Sequence, residues 1–252
     1  MNNLVGISIG TIHLKGENIK SRIEIARKTG TKALEISFFW DDEANEIIPP
    51  KSIEYLKSLE LEYVSIHAPM FHRNPLMPDV KSFNPYFSFD MKELKRWYSD
   101  ANSKAILFHP NQKIPPGEKE MLFCVENMPP LPKISTEISK KLAEYKLEEH
   151  PEYKLVLDAC HTLHYPGYLE EIVDKYHDRI QHIHLSDRRY NLEKKKTRDH
   201  QTFAECSDKD KFSCLKGLNC PIIAEVSLRY NTPKECEDIL KREIDSVKEF
   251  FS

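Results

Sequence analysis

The sequence predicts an α/β fold, a (β/α)8 barrel that residues 1–252 form as one domain. Three observations support it. Eight short apolar segments alternate with amphipathic helical segments, the 252-residue length is typical of such a barrel, and no linker or shift in composition divides the chain.

The eight predicted strands are short apolar runs between turn-forming residues. They lie at 4–10, 32–37, 62–69, 104–110, 121–129, 154–161, 180–187 and 221–228. Predicted helices place apolar residues three or four positions apart, and they occupy 18–30, 49–60, 90–103, 135–149 and 167–178. A last helix begins at Thr232, where Pro233 and Glu235 complete the pattern of a capping box.

One repeat is predicted to be incomplete. Between the fourth and fifth strands only "NQKIPPGEKEM" remains, which is too short and too rich in proline for a covering helix. We therefore expect this helix to be missing or very short, and the barrel wall there to be thin or covered by a partner, so that an oligomer can form at this side.

Composition excludes several classes of protein. A net charge of -3 gives no overall attraction to nucleic acid or acidic membranes, and no apolar run approaches the roughly 18 residues of a membrane span. The amino terminus lacks a secretory pattern, and six cysteines without a C-x-x-C pair favour a reducing compartment, so a cytoplasmic location is expected. With seven glycines, the chain contains no glycine-rich phosphate loop.

Six successive strands end on side chains that can bind a metal. In a parallel barrel the carboxyl ends of all strands meet at one rim, where active sites lie. These side chains are His67, His109, Glu126, Asp158 with His161, His184, and Glu225.

Strand alternation places these residues on the inner face. In "VSIHAP", Ser65 and His67 share one face, while Val64 and Ile66 occupy the other. The same alternation holds for the strands ending in Glu126, Asp158, His184 and Glu225. Converging carboxylates without a counter-charge would be costly, and a mixture of imidazole and carboxylate suits zinc, manganese or iron. A lone residue of this kind is more often structural, and for Glu35, which is also in phase, a buried salt bridge explains the residue equally well.

The strand-end motifs "SIHAP", "LFHP", "VEN", "LDACH", "HIHLSD", "DH" and "AEV" resemble those of the xylose isomerase-like TIM-barrel superfamily, in the same order. This superfamily includes endonuclease IV and many sugar isomerases and epimerases, and "LDACH" with the two early histidines is most similar to endonuclease IV. The resemblance implies a shared metal quartet of Glu126, Asp158, His184 and Glu225. It also implies that His67, His109, His161 and His200 are the additional ligands with which endonuclease IV holds three zinc ions.

One position departs from that pattern. The family places an aspartate two residues before the last histidine, whereas this chain has Arg198 there and Asp199 next to His200. The cofactor is therefore expected to be one to three divalent ions, with zinc favoured and manganese or magnesium as alternatives.

The leading functional hypothesis is metal-assisted hydrolysis of a phosphoester, with DNA containing an abasic site as the substrate. A small sugar phosphate is the phosphate-containing substrate expected for the isomerase or epimerase alternative. Glu126 is expected to bridge the metal ions. The segment "DRRYNLEKKKTRDH" supplies basic residues at the rim, and Arg188, Arg189, Lys196 and Arg198 are the candidate substrate-binding residues. A solvated loop explains this segment about equally well.

Two alternatives remain open. A sugar or sugar-phosphate isomerase or epimerase would use one metal and Glu126 with Glu225 as an acid-base pair. A barrel that binds metal or ligand without catalysis is the third possibility, suggested by the missing helix and the displaced aspartate.

Overall fold

The computed structural model describes residues 3–13, 18–37, 50–68, 71–73, 81–83, 91–112, 120–131, 133–191, 195–229 and 232–252. Eight parallel strands form a closed barrel in which each strand pairs with its neighbours in the chain and the last pairs with the first. They are β1 (Val5–Ser8), β2 (Ala33–Ser37), β3 (Tyr63–His67), β4 (Ala105–Phe108), β5 (Phe123–Glu126), β6 (Lys154–Asp158), β7 (Ile180–Leu185) and β8 (Ile222–Ala224). The predicted (β/α)8 barrel is confirmed.

The helices are α1 (Ile19–Arg27), α2 (Pro50–Ser58), α3 (Met91–Asp100), α4 (Thr136–Glu149), α5 (Ala159–Thr162), α6 (Tyr168–Tyr176) and α7 (Pro233–Phe251). Their ends follow from local chemistry. Asn18 and Ser135 cap α1 and α4, and the predicted capping box of Thr232 and Glu235 is present at α7. None of the helices in these ranges is long and apolar enough to span a membrane.

Two connections depart from the regular repeat. Between β4 and β5 the described residues contain no helix, as predicted, while residues 113–119 lie outside the described part. The association of a second copy at this side remains a prediction. The second irregular connection, between β7 and β8, was not predicted. It is formed by strands Asp187–Asn191 and Lys196–Gln201 followed by 3-10 helices Phe203–Glu205 and Asp210–Gly217.

We call the two antiparallel strands Asp187–Asn191 and Lys196–Gln201 the rim hairpin. Glu243 of α7 anchors the chain directly after it, because its buried carboxyl oxygens accept hydrogen bonds from the backbone amides of Phe203 and Ala204 at 2.6 and 2.9 Å. Shorter strands at Ile12–His13 and Leu228–Arg229 pair with each other, as do Phe71–Arg73 and Lys81–Phe83. A 3-10 turn, Ile9–Thr11, follows β1.

Apolar side chains fill the lower part of the barrel and its outer surface. Inside, one group contains Ala33, Tyr63 and Ile223, and a second contains Ala105, Leu107, Cys124 and Val156. Side chains on the other face of each strand pack against the helices in one continuous core. Because apolar residues occupy the barrel interior at these levels, the polar side chains inside the barrel are concentrated toward the carboxyl ends of the strands.

Candidate metal centre

Eight side chains from the carboxyl ends of β3 to β8 and from the rim hairpin converge at the barrel mouth. Seven of them are buried, and only His200, on the hairpin, is partly exposed. They form three adjoining groups, and in each group one ligand atom per residue lies within 4.8 Å of the others. The groups are His67, His109 and Glu126; Glu126, Asp158, His184 and Glu225; and Asp158, His161 and His200.

In the first group, two imidazoles face one oxygen of Glu126. Oε2 of Glu126 lies 3.2 Å from Nε2 of His67 and 3.3 Å from Nε2 of His109. Nδ1 of His67 donates to the carbonyl oxygen of Ala68 at 2.7 Å, which leaves Nε2 as the ligand atom. Burial alone would lower the pKa of His67, but the Glu126 carboxylate raises it to about 9.

The second group is the most deeply buried. Nδ1 of His184 lies 3.0 Å from Oε2 of Glu225, 3.4 Å from Oε1 of Glu126 and 4.0 Å from Oδ2 of Asp158. Burial, with the nearby Glu225 and Glu126 carboxylates, raises the pKa of Asp158, because three acids cannot all be charged in so small a space.

Three atoms of this second group lack a hydrogen-bond partner among the described residues. They are Oδ2 of Asp158, Nδ1 of His184 and Oε2 of Glu225. Buried polar atoms are rarely left unsatisfied, and each of these three can bind a divalent cation. The residues at this position therefore fit a metal ion.

Local sequence explains how the third group forms. Asp158 ends β6 and is also the N-cap of the one-turn helix α5, where its Oδ1 accepts from the backbone amide of His161 at 2.8 Å. Nδ1 of His161 donates to the carbonyl oxygen of Asn127 at 2.9 Å. The short spacing in "LDACH" thus places an acid and an imidazole in the same ligand group.

Asp199 does not take the place of the displaced family aspartate. Its carboxylate accepts from Nε2 of His164 at 3.0 Å and from Nε of Arg188 at 3.2 Å. The acid of the third group is Asp158 instead, so Asp158 belongs to two groups in the same way as Glu126 does.

The acids at the mouth are not neutralised by basic side chains. Among the described residues, the ion-pair partners of Glu126, Asp158 and Glu225 within 4.0 Å are all histidines. Burial favours a raised pKa for Glu225, but His184 and His200 lower it to about 2. The acids of the centre therefore have only titratable imidazoles as ion-pair partners in this part of the chain, and a divalent cation can replace the protons that these imidazoles carry.

Two further polar residues, Glu35 of β2 and His182 of β7, were not among the predicted site residues. Both are fully buried, and Oε2 of Glu35 lies 2.9 Å from Nε2 of His184 and 3.2 Å from Nε2 of His182. One interpretation of the sequence was a buried salt bridge of Glu35, and its partners are these two histidines, which lie within hydrogen-bonding distance. Strand alternation puts both residues inside the barrel, and this was the only signal that could have indicated them.

The four candidate substrate-binding residues lie on the rim hairpin but differ in their contacts. Arg188 pairs with Asp199, and Arg189 pairs with Asp187 and Glu205. Within the described ranges, Lys196 and Arg198 form no ion pair; Lys196 is exposed and Arg198 is half-buried. Of the four, these last two therefore have no carboxylate partner in that part of the chain, and their binding of substrate remains a prediction.

No family model matches this sequence, and no curated protein is significantly similar to it. Solved structures do match. AP endonuclease, family 2, from Brucella melitensis is 13% identical with a TM-score of 0.55, covering 92% of this chain and 96% of its own. Endonuclease IV from Thermus thermophilus is 15% identical with a TM-score of 0.59 (97% and 99%). D-allulose 3-epimerase from Methylomonas sp. is 13% identical with a TM-score of 0.62 (99% of each). At these identities the similarity shows the fold, and the resemblance to xylose isomerase-like TIM barrels is confirmed at that level.

Proposed function

We propose that this protein is a metal-dependent phosphoester hydrolase of the endonuclease IV type, acting on DNA at abasic sites. The observation that carries the proposal is the sharing of Glu126 and Asp158 between neighbouring ligand groups. Eight ligand side chains in three connected groups exceed the four to six that one ion uses.

Each residue of the site has a separate proposed role. Glu126 joins the first and second groups through its two carboxylate oxygens, and Asp158 joins the second and third. Divalent ions bound there, with zinc favoured, would lower the pKa of a water between them and neutralise phosphate charge. Lys196 and Arg198 on the rim hairpin attract the phosphate backbone. Arg188 and Arg189 form ion pairs with carboxylates in and next to the rim hairpin. They can contact the substrate phosphate if these ion pairs break.

Cleavage of a duplex oligonucleotide with one abasic site tests this proposal. We expect the zinc-loaded protein to cut the strand that contains the abasic site, a chelator to abolish cutting, and added zinc to restore it. Glu126→Gln should be inactive, whereas the matched control Glu137→Gln, which changes an exposed carboxylate on α4, should cut as the wild type does. If the fully zinc-loaded wild type leaves this duplex intact, the proposal is wrong.

A sugar isomerase or epimerase is the second candidate, and one observation favours it. The second group is a complete four-residue site by itself, and both Glu126 and Glu225 belong to it and can act as base and acid. In this case one manganese or magnesium ion would be bound per chain. Incorporation of deuterium from D2O into a ketose at the epimerised carbon would identify this activity, and a non-catalytic barrel would give neither reaction.

A further inference from the structure

Glu35 lies inside the barrel directly beside the candidate metal centre and accepts four hydrogen bonds. Its Oε1 accepts from the hydroxyl of Ser37 at 3.2 Å. Its Oε2 accepts from Ser65 at 3.2 Å and faces the Nε2 atoms of His182 and His184 at 3.2 and 2.9 Å. Glu35 and its four partners are all buried, so these hydrogen bonds are isolated from solvent.

We propose that Glu35 is a positioning residue, which holds His184 in the one tautomer that can bind a metal. An ionised carboxylate only accepts hydrogen bonds, so Nε2 of His184 must carry the hydrogen. In the neutral imidazole the lone pair then lies on Nδ1. Nδ1 is the atom that faces Glu225, Glu126 and Asp158 and has no hydrogen-bond partner among the described residues.

His182 supports this arrangement from the other side. Its Nδ1 lies 2.8 Å from the hydroxyl of Tyr63, whose pKa burial raises, so Tyr63 donates and Nε2 of His182 donates to Glu35. A chain of hydrogen bonds therefore runs from Tyr63 through His182 to Glu35 and then to His184. Every donor and acceptor in it has a partner, and its far end is the unpartnered Nδ1 of His184.

A second explanation is that Glu35, His182 and His184 themselves bind a metal, since their ligand atoms also lie within 4.8 Å of one another. The hydrogen bonds argue against it. Both oxygens of Glu35 and both nitrogens of His182 are already engaged, whereas the group on the other side of His184 contains three unsatisfied atoms. An ion between Glu35 and His184 would have to displace hydrogen bonds, and an ion at Nδ1 would displace none.

This inference rests on the metal centre of the proposed function, so its test measures zinc affinity and not hydrolysis. Loss of a carboxylate that orients a ligating histidine typically weakens metal binding 10–100-fold. We expect Glu35→Gln to weaken zinc binding at the second group by about that factor, measured by competition with a chromophoric chelator. The matched control is Ser37→Ala, which removes a hydrogen bond to Oε1 of Glu35 and leaves the contact of Glu35 with His184 in place. Because Ser37 lies one contact further from the metal than Glu35, this variant should change zinc affinity less than about threefold.

Nitrogen-15 NMR of the zinc-loaded wild type gives a second measurement that needs no variant. We expect His184 to show a protonated Nε2 and a metal-bound Nδ1. A metal-bound Nε2, or a folded Glu35→Gln protein with wild-type zinc affinity, would overturn the role of Glu35 even if the enzyme cleaves abasic DNA. A wild type that binds no zinc would overturn the metal centre as well, so the two failures are distinguishable.

Discussion

Replacing Glu126 by glutamine should disturb two metal positions at once, because the two oxygens of this carboxylate face different groups. Oε2 lies 3.2 and 3.3 Å from the Nε2 atoms of His67 and His109, and Oε1 lies 3.4 Å from Nδ1 of His184. The variant leaves the first group with two histidines and the second with three ligands in place of four. It also removes the carboxylate charge that the two groups share.

The expected magnitude follows from this loss of ligands. A lost partner of a ligating histidine costs about 10–100-fold in affinity, and a lost direct ligand should cost at least the upper end of that range at each group. Zinc retained after desalting should therefore fall from at least two equivalents per chain to no more than one. Elemental analysis gives the stoichiometry, and chelator competition gives the affinities.

Glu225→Gln is the matched control, because Glu225 belongs to the second group alone. This variant should weaken one zinc position and leave the His67 and His109 position at wild-type affinity. The reasoning is refuted if Glu126→Gln keeps the wild-type stoichiometry and affinities, or if both variants lose the same single ion. Either result would mean that Glu126 does not bridge two metal positions.

Three further predictions concern the rest of the molecule. Burial raises the pKa of Glu243 to about 7, so its stabilising contribution is present below pH 4.5 and is lost as the pH rises through 7. Between pH 4.5 and 8 the unfolding free energy should fall by about 3 kcal/mol more in the wild type than in Glu243→Gln. Urea denaturation at each pH measures it, and the same pH dependence of the unfolding free energy in both proteins would contradict the prediction. Gly6→Ala should destabilise the barrel by roughly 1–3 kcal/mol in urea unfolding, since its Cβ would lie 2.6 Å from that of Ala33, and wild-type stability would show that β1 can shift freely. Replacing Lys196 and Arg198 by alanine should weaken binding of abasic DNA and reduce the slope of log affinity against log salt by about two, and an unchanged slope would exclude both from phosphate contact.

Most of the barrel and much of the site were predictable from the sequence, because strand alternation is a local property. The in-phase positions of His67, Glu126 and Asp158 follow from which neighbours are apolar. A closed parallel barrel then brings the strand ends together without further information. Local rules also gave the capping box at Thr232, which depends on residues only three positions apart.

The remaining features depend on contacts between distant segments. Glu35 and His184 are 149 residues apart, so their hydrogen bond appears only when the barrel closes. Asp199 and His200 lie where the pairing of the rim hairpin is irregular and His200 has a φ of 54°, so alternation cannot predict which side chain faces the site. The replacement of a helix by this hairpin was missed because its polar strands carry no apolar periodicity.

Anomalous diffraction at the zinc edge, from crystals grown with zinc, is the most direct test of the metal centre. The account predicts peaks on both sides of Glu126, one beside His67 and His109 and the other beside His184 and Glu225. A map of the zinc-soaked protein with no peak among these side chains would contradict it.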